Sequence, residues 1–196
     1  MIIGYNPIRH MNLTFPSIET PRLRLRMLEQ DDVESIHSIW SDPEVMKFIP
    51  IVLFRSREEI SEFIPLSLQR WEERGFGIFA VTEKESRQMV GYCGLQYLDG
   101  TPEVEIYYGF SKDSWNRGIA TEAARAVIEF GFEKLKLESI AGITHPDNIA
   151  SQNVLEKLGL KKIGENRKFY DTDCAYFAIS RDDYSSTGEG YRLTYE

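Results

Sequence analysis

Cysteine and histidine are scarce in this sequence, and long apolar runs are missing from it. The two cysteines, Cys93 and Cys174, lie in apolar, strand-like stretches, so we interpret them as buried thiols in a reducing compartment. The three histidines, His10, His37 and His145, lack the spacing of a zinc site, so no metal is predicted. No apolar run reaches membrane-spanning length and no compact signal-peptide core is present, which predicts a cytoplasmic protein without a membrane partner.

Basic residues are also fewer than acidic residues. The 196 residues include 31 acidic and 23 basic side chains, which gives a net charge of −8. A surface that binds nucleic acid needs the opposite balance, so we expect no nucleic-acid partner. Hydrophobic residues at 42% and charged residues at 28% are ordinary globular values, and the length suits one domain with one core.

The hydrophobic pattern predicts two helices early in the chain. Apolar residues at helical spacing predict a first helix that ends at Trp40 and a second that runs from Ser56, a favourable N-cap residue, to Arg74. Pro65 lies within the second helix and should kink it or split it in two.

Strands dominate the rest of the pattern. Three of them, joined by tight turns, predict an antiparallel meander, and Gly91 and Gly94 indicate a bulge in its middle strand. The predicted order is β-α-α-β-β-β-α-β-α-β-β. The strands are predicted at 22–28, 78–82, 89–98, 104–110, 139–144, 161–165 and 174–180. The helices are predicted to end at 40 and 74, to span 118–136, and to end at 159.

We expect one domain at 18–183, preceded by an extension at 1–17 and followed by a tail at 184–196. The tail contains the run S-S-T-G-E-G, whose composition predicts flexibility. Met11 is an alternative start of the chain, and the choice between it and Met1 stays open.

The turn between the third meander strand and the following helix is suited to a phosphate-bearing ligand. It reads D-S-W-N-R-G-I-A-T-E-A-A from Asp113 to Ala124. The first N–H groups of a helix lack intrahelical partners and carry partial positive charge, and Gly118 has no Cβ to hold an anion away. Arg117 adds a formal cation. A glycine turn that binds nothing is the alternative, because short glycine patterns are weak signals on their own.

This turn resembles motif A of the GNAT superfamily of acetyl-CoA-dependent N-acetyltransferases. Its continuation T-E-A at 121–123 is typical of the RimJ/RimL-like branch, although Trp115 stands where many members have Arg or Gln. A second stretch, N-I-A-S followed by L-E-K-L-G-L, resembles motif B of the same family and extends from Asn148 to Leu160. The two motifs occur at family-like spacing, and the predicted element order is that of the family.

The resemblance implies a mixed α+β fold, the GNAT fold, in which about four helices flank a central, mostly antiparallel sheet of six to seven strands. Two strands splay apart to form the acetyl-CoA cleft. The amides of the turn would hold the pyrophosphate of coenzyme A, and the edge of the third meander strand would hydrogen-bond the pantetheine arm. Asn148 would contact that arm and is also a favourable N-cap. The residues expected to bind acetyl-CoA are Phe110, Arg117, Gly118, Ile119, Ala120, Thr121 and Asn148.

Two residues are candidates for catalysis. Ser151 matches the position proposed in RimJ/RimL-like enzymes to assist the departing thiolate, whereas the tyrosine that many other members place nearby is Leu155 here. Strand alternation puts Glu105 on the face opposite Val104 and Ile106. The family often uses a glutamate of this strand as a general base, commonly through water. A solvated carboxylate on an exposed face is the alternative interpretation of Glu105.

The segment from Ser41 to Pro50 has two interpretations. In the RimJ/RimL-like branch the corresponding loop lines the acceptor pocket. As an ordinary connection between helices it would instead place Met46, Phe48 and Ile49 in the core, and residue by residue we favour this second interpretation.

The function that the resemblance implies is transfer of an acetyl group from acetyl-CoA to a primary amine by direct attack. The acceptor is a protein N-terminal α-amine or a small-molecule amine, such as a polyamine or an antibiotic-like amine, and no residue decides between them. A non-catalytic acyl-CoA-binding or regulatory module with the same fold is the alternative. A nucleotide-phosphate enzyme is disfavoured, because no G-K-[ST] follows the glycines. A homodimer is the one assembly that we consider.

Overall fold

The structure, a computed structural model, describes residues 14–49, 56–185 and 191–195. Within these ranges no helix has the length and apolar character needed to cross a membrane. The strands are β1 (Pro16–Glu19), β2 (Leu23–Arg26), β3 (Ile78–Glu83), β4 (Met89–Tyr97), β5 (Val104–Phe110), β6 (Ser139–Thr144), β7 (Lys161–Lys162), β8 (Arg167–Phe169), β9 (Thr172–Ser180) and β10 (Arg192–Tyr195). The α-helices are α1 (Val33–Ser41), α2 (Pro43–Met46), α3 (Arg57–Arg74), α4 (Ile119–Glu133) and α5 (Ile149–Lys157), and short 3₁₀ helices occur at Gln30–Asp32 and Lys112–Ser114.

One mixed sheet follows the strand order β10-β1-β2-β3-β4-β5-β6-β9-β7, and β8 pairs with β9 beside it. The strand pairs in this order are antiparallel except β5 and β6, which are parallel. The expected fold class is confirmed, with more strands than the six to seven predicted. The additional strands β1, β8 and β10 have only three or four residues, too few to produce a periodic pattern. Cys93 in β4 and Cys174 in β9 are buried free thiols, as predicted.

The predicted meander consists of β3, β4 and β5. The register between β3 and β4 shifts between Val81 and Thr82, next to Gly91, which confirms the bulge expected in the middle strand. After β5 the chain crosses over through α4 to β6, because a parallel neighbour cannot be reached by a tight turn. The turn into α4 therefore starts at the C-terminal end of β5.

Helices cover both faces of the sheet. α4 packs on the face that presents Ile106 and Phe110 of β5, in the largest core cluster. α1 and the first half of α3 pack on the opposite face, against Tyr92 and, at the margin, Tyr107. The side-chain alternation predicted for β5 is thus confirmed: even-numbered residues face α4, and Tyr107 faces α1 and α3.

α3 begins as predicted. The Ser56 hydroxyl accepts a hydrogen bond from the Glu59 N–H, and the Glu59 carboxylate accepts one from the Ser56 N–H, which forms a capping box. The helix continues to Arg74 across Pro65, so the expectation of a split is wrong, whereas a kink stays a prediction. Pro65 is exposed while Ile64 is buried, so packing of the residues beside the proline stabilises the helix.

Residues 192–195 form β10, although they lie in the segment that we predicted as a flexible tail. β10 pairs with β1 along four residues, from Pro16↔Tyr195 to Glu19↔Arg192. No local pattern predicts a partner at the other end of the chain. The S-S-T-G-E-G run lies outside the described residues except for Ser185, so its flexibility and the domain limits at 18 and 183 stay predictions.

Gly94 generates a stability prediction, because β3 leaves no room for a side chain there. A Cβ at this position would lie 2.6 Å from the Ile78 Cα and closer still to the Gly77 carbonyl oxygen. Gly94→Ala should lower the free energy of unfolding by about 2–3 kcal/mol, as overpacking of a rigid site does. Urea unfolding followed by circular dichroism measures this loss.

Gly100→Ala is the matched control. A Cβ on Gly100 would meet nothing within 4 Å, so only its positive φ of 64° opposes the substitution, at a cost of about 1 kcal/mol. Equal losses in the two variants would contradict the steric argument.

Candidate active site

The site is centred on a gap between β5 and β6. Their parallel pairing is recorded only at Glu105↔Ala141, although β5 continues to Phe110 and β6 to Thr144. The sheet therefore opens toward the C-terminal ends of both strands. A cavity of about 230 Å³ occupies this region and is lined by side chains from both faces of β5.

Backbone donors of β5 point into the gap. The Ser111 N–H donates to the Val90 carbonyl on the β4 side, and backbone groups alternate sides along a strand. The N–H groups of Tyr108 and Phe110 therefore point away from β4, toward the gap. The Phe110 carbonyl lies on that side and accepts a hydrogen bond from the Trp115 indole N–H at 3.0 Å. The Trp115 side chain thus connects the turn before α4 to the end of β5 through this hydrogen bond.

Glu105 lies where the strands diverge, with only 2% of its surface exposed. The interpretation as a solvated carboxylate is therefore wrong. Gln96 Nε2 donates to Glu105 Oε1 at 2.8 Å and the Tyr170 hydroxyl donates to the same oxygen at 3.4 Å, while no described residue donates to Oε2. Burial outweighs these hydrogen bonds and raises the pKa of Glu105 to about 7. A carboxyl group with this pKa is suited to accept a proton at neutral pH.

Asn148 and Ser151 lie across the gap at the start of α5. The Asn148 side chain accepts the Ser151 N–H at 3.1 Å, so Asn148 caps the helix and also lines the cavity. The Ser151 and Tyr108 hydroxyl oxygens are 2.9 Å apart. Burial raises the pKa of Tyr108, so its hydroxyl keeps its proton at neutral pH. The two hydroxyls form a connected pair of donors between β5 and α5.

Tyr108 is the residue that sequence reasoning missed at this position. Strand alternation assigned it to the core face, and its partner Ser151 is 43 residues away in the chain. One signal was available. The sequence has Leu155, a core residue with 1% exposure, where the resemblance would lead one to look for a tyrosine, so the tyrosines of β5 were the ones to consider.

The turn before α4 lies at the far end of β5, outside the lining of the cavity. Gly118 is the N-cap of α4 and has a φ of 74°, a left-handed conformation that favours glycine. The first helical hydrogen bond runs from the Glu122 N–H to the Gly118 carbonyl, so the N–H groups of residues 119–121 have no helical partner. Ile119 is fully buried, and only its backbone is available to a ligand. Ala120 and Thr121 are half-buried.

Two arginines flank these amides. Arg117 forms an ion pair with Glu83 at 2.7 Å, and its carbonyl accepts a hydrogen bond from Arg22 Nη1 at 2.8 Å. Arg22 pairs with Glu122 at 2.6 Å and lies close to Gly118. Sequence reasoning missed Arg22, because nothing in the first strand connects it with a motif so far along the chain. Cations beside helix-terminal amides that lack a helical partner form an arrangement that is suited to a phosphate.

Aromatic side chains line the rest of the cavity. Phe48 and Ile49 are half-buried members of this lining, so their assignment to the core is wrong, while Met46 is half-buried and lies outside the lining. The Phe48 ring packs on His145, with centroids 5.3 Å apart. This contact holds the segment that contains Phe48 and Ile49 next to the gap. The aromatic members of the lining are Trp40, Phe48, Phe63, Tyr107, Tyr108 and Tyr170.

Comparison with known proteins agrees with this geometry. Residues 22–161 match the family profile described as acetyltransferase (GNAT) domain. The uncharacterized N-acetyltransferase p20 of Bacillus licheniformis is 31% identical over 179 residues, which cover 86% of this chain and 98% of the relative. A GNAT-family acetyltransferase structure from Bacillus anthracis is 30% identical with a TM-score of 0.73, covering 85% of this chain and 99% of its own.

A more distant neighbour is the structure of ribosomal-protein-S5-alanine acetyltransferase from Vibrio fischeri. It is 18% identical with a TM-score of 0.69, and the match covers 86% of this chain and 98% of that protein. At this identity the likeness concerns the fold alone.

The burial of Glu105 generates a prediction about stability and pH. Its pKa is raised from 4.5 to about 7, so the folded protein binds the proton more tightly than the unfolded chain. The resulting stabilisation is complete below about pH 4.5 and is lost as the pH rises through 7, by up to about 3 kcal/mol at 1.36 kcal/mol per pKa unit. Glu105→Gln removes this loss. Relative to wild type, the variant should therefore gain unfolding free energy between pH 5 and pH 8 in urea titrations.

Glu85→Gln is the control, since Glu85 is an exposed carboxylate in the turn between β3 and β4. This variant should follow wild type at both pH values. If the difference between Glu105→Gln and wild type is the same at pH 5 and pH 8, the Glu105 carboxylate is not desolvated.

Proposed function

The chain belongs to the GNAT family of acetyltransferases and is an acetyl-CoA-dependent enzyme, and on this premise we propose that it acetylates a primary amine by direct attack on the thioester. The observation that carries the proposal is the buried Glu105 at the opening of the sheet, because a pKa of about 7 suits removal of a proton from an amine. Tyr108 and Ser151 lie beyond the opposite face of β5. The gap therefore has a base on one side and a hydrogen-bond donor pair on the other.

The described residues fit acetyl-CoA. The gap-facing N–H groups of Tyr108 and Phe110 suit an extended pantetheine arm that lies beside β5 like a further strand. The free amides of residues 119–121, with Arg117 and Arg22 beside them, suit the pyrophosphate. Acetyl-CoA supplies the activated acetyl group, and the protein supplies its position and the handling of protons.

Each residue then has a separate task. Glu105 accepts the proton that the amine loses, directly or through water. A gap-facing N–H of β5 stabilises the negative charge that develops on the thioester oxygen. Ser151, held by Tyr108, donates a hydrogen bond to the leaving sulfur. A thiol has a pKa of about 8.5, so a hydrogen bond is sufficient help for its departure.

Within the family we place the chain in the RimJ/RimL-like branch. The T-E-A continuation of the turn and Ser151 support this assignment. The branch favours an α-amine as acceptor. A non-catalytic acyl-CoA-binding module is less favoured, because such a module has no use for a buried carboxyl group that lowers stability at neutral pH.

The test is a panel of amines and peptides scored by release of free thiol, followed by pH profiles with the best acceptor. Glu105→Gln keeps the shape of the side chain and removes the base. For an α-amine, with a pKa of about 7.7–8.0, kcat/KM should fall about tenfold at pH 7 and recover at higher pH. For an alkylamine, with a pKa near 10.4, the loss should approach about 10²–10⁴. Superimposable profiles of wild type and variant would remove Glu105 from the mechanism.

The Tyr108–Ser151 pair generates a kinetic prediction. Tyr108→Phe and Ser151→Ala should each lower kcat about tenfold with little change in KM for acetyl-CoA, because the hydrogen bond strengthens as charge develops on sulfur. The double variant should be no slower than the slower single variant, since both changes break one connected unit.

Tyr97→Phe is the control for loss of a phenolic hydroxyl, because Tyr97 is 46% exposed and does not line the cavity. It should retain wild-type kinetics. Additive losses in the double variant would mean that the two hydroxyls act independently, and unchanged kcat with chemistry rate-limiting would leave Ser151 as a helix residue only.

A further inference from the structure

Two opposite charges lie in the lining of the cavity. Glu105 is its one carboxylate and Arg70 of α3 its one lysine or arginine among the described residues. The two groups do not form an ion pair with each other, since no interaction between them is recorded within the described parts of the chain. A ligand in the cavity therefore meets a carboxyl group at the sheet and a guanidinium on the helix.

Arg70 has no carboxylate partner within the described ranges. Leu66 and Arg74 occupy the positions four residues before and after it on α3, and Glu73 accepts a hydrogen bond from Gln69 instead. The Arg70 guanidinium lies over the Phe63 ring, 5.6 Å from its centroid. Arg70 is an exposed residue, so this contact holds the cation at the rim of the cavity, where its N–H groups are solvated by water until an anionic group of a ligand replaces it.

The part of the lining next to Arg70 is aromatic. Trp40 packs edge-on against Phe63, with centroids 6.0 Å apart, and against Tyr92 at 5.8 Å. Rings of this kind favour a ligand with an aromatic or large apolar group, because that group removes apolar surface from water when it packs on them. The cavity volume of about 230 Å³ is below the range of about 300–1,000 Å³ usual for ligand pockets, which favours a small acceptor.

A polyamine does not match this charge pattern. Each of its ammonium groups needs a carboxylate or water when it enters a cavity. The described lining offers a single carboxylate, and the Arg70 guanidinium repels a second ammonium group.

Resting on the proposed amine acetylation, we propose that the acceptor is a small primary amine that carries both an aromatic or large apolar group and a carboxylate. The amine meets Glu105, the apolar group packs on the Trp40–Phe63 wall, and the carboxylate pairs with Arg70. A free aromatic amino acid is the simplest compound with all three features. Phenethylamine is its matched probe, because it differs from phenylalanine only by the missing carboxylate.

The experiment compares phenylalanine, phenethylamine and spermidine as acceptors of wild type, Arg70→Gln and Arg74→Gln. In wild type, kcat/KM for phenylalanine should exceed that for the other two amines by about tenfold or more, the effect of one charge-assisted pair. In Arg70→Gln the ratio of phenylalanine to phenethylamine should fall to about one, mainly through KM for phenylalanine. Arg74→Gln should keep the wild-type ratio, because the Arg74 guanidinium lies over Tyr97, outside the cavity lining.

Calorimetric titration of phenylalanine into CoA-saturated protein gives a second readout that does not depend on turnover, and it should show the same loss in Arg70→Gln alone. Spermidine as the best acceptor, or an unchanged ratio in Arg70→Gln, would overturn the inference. Transfer to other amines but not to phenylalanine overturns the acceptor class and leaves the proposed function standing. Binding of acetyl-CoA without thiol release for any amine or peptide overturns the proposed function itself.

Discussion

The divergence of β5 from β6 beyond Glu105 is the constraint on which the site depends. Parallel neighbours ordinarily hydrogen-bond along their length, and here the single recorded pairing leaves the outward N–H groups of β5 without a strand partner. Unpaired backbone groups are costly unless water or a ligand satisfies them, so the gap favours a ligand with its own acceptors. The same divergence lets side chains from both faces of β5 border one cavity, although alternation along a strand ordinarily keeps them on opposite sides of a sheet.

The burial of Glu105 lowers the stability of the folded protein when this carboxyl group is ionised. A buried carboxyl group is most destabilising when it is ionised, and the protein offsets little of that cost, because both recorded donors reach Oε1 and no described cation forms an ion pair with the group. A paired arginine would stabilise the carboxylate, but it would also lower the pKa and leave a weaker base at neutral pH. The buried carboxyl group thus lowers the stability of the protein at neutral pH, and it also changes its protonation state in that pH range.

Local features of the fold were predictable from the sequence, and distant contacts were not. The Ser56 cap, the meander and the turn at Gly118 depend on neighbouring residues, so caps, alternation and a glycine pattern were sufficient to predict them. The pairing of β10 with β1 and the contact between Tyr108 and Ser151 join residues far apart in the chain, and no local pattern indicates them. Family resemblance pointed to Glu105, but its burial depends on helices and loops that cover β5 rather than on β5 itself.

The arginines at the two ends of the site differ in whether they are paired with a carboxylate. At the turn before α4, Arg117 and Arg22 are each paired with a carboxylate, and both guanidinium groups are about half exposed. Their carboxylate partners Glu83 and Glu122 are only 18% and 17% exposed. A pyrophosphate that forms a bidentate pair with the half-exposed Arg117 guanidinium therefore shares that cation with Glu83 or has to replace it. Among the described residues Arg70 has no such carboxylate to release, so an acceptor that carries an anion forms its ion pair there by replacing water rather than a protein group.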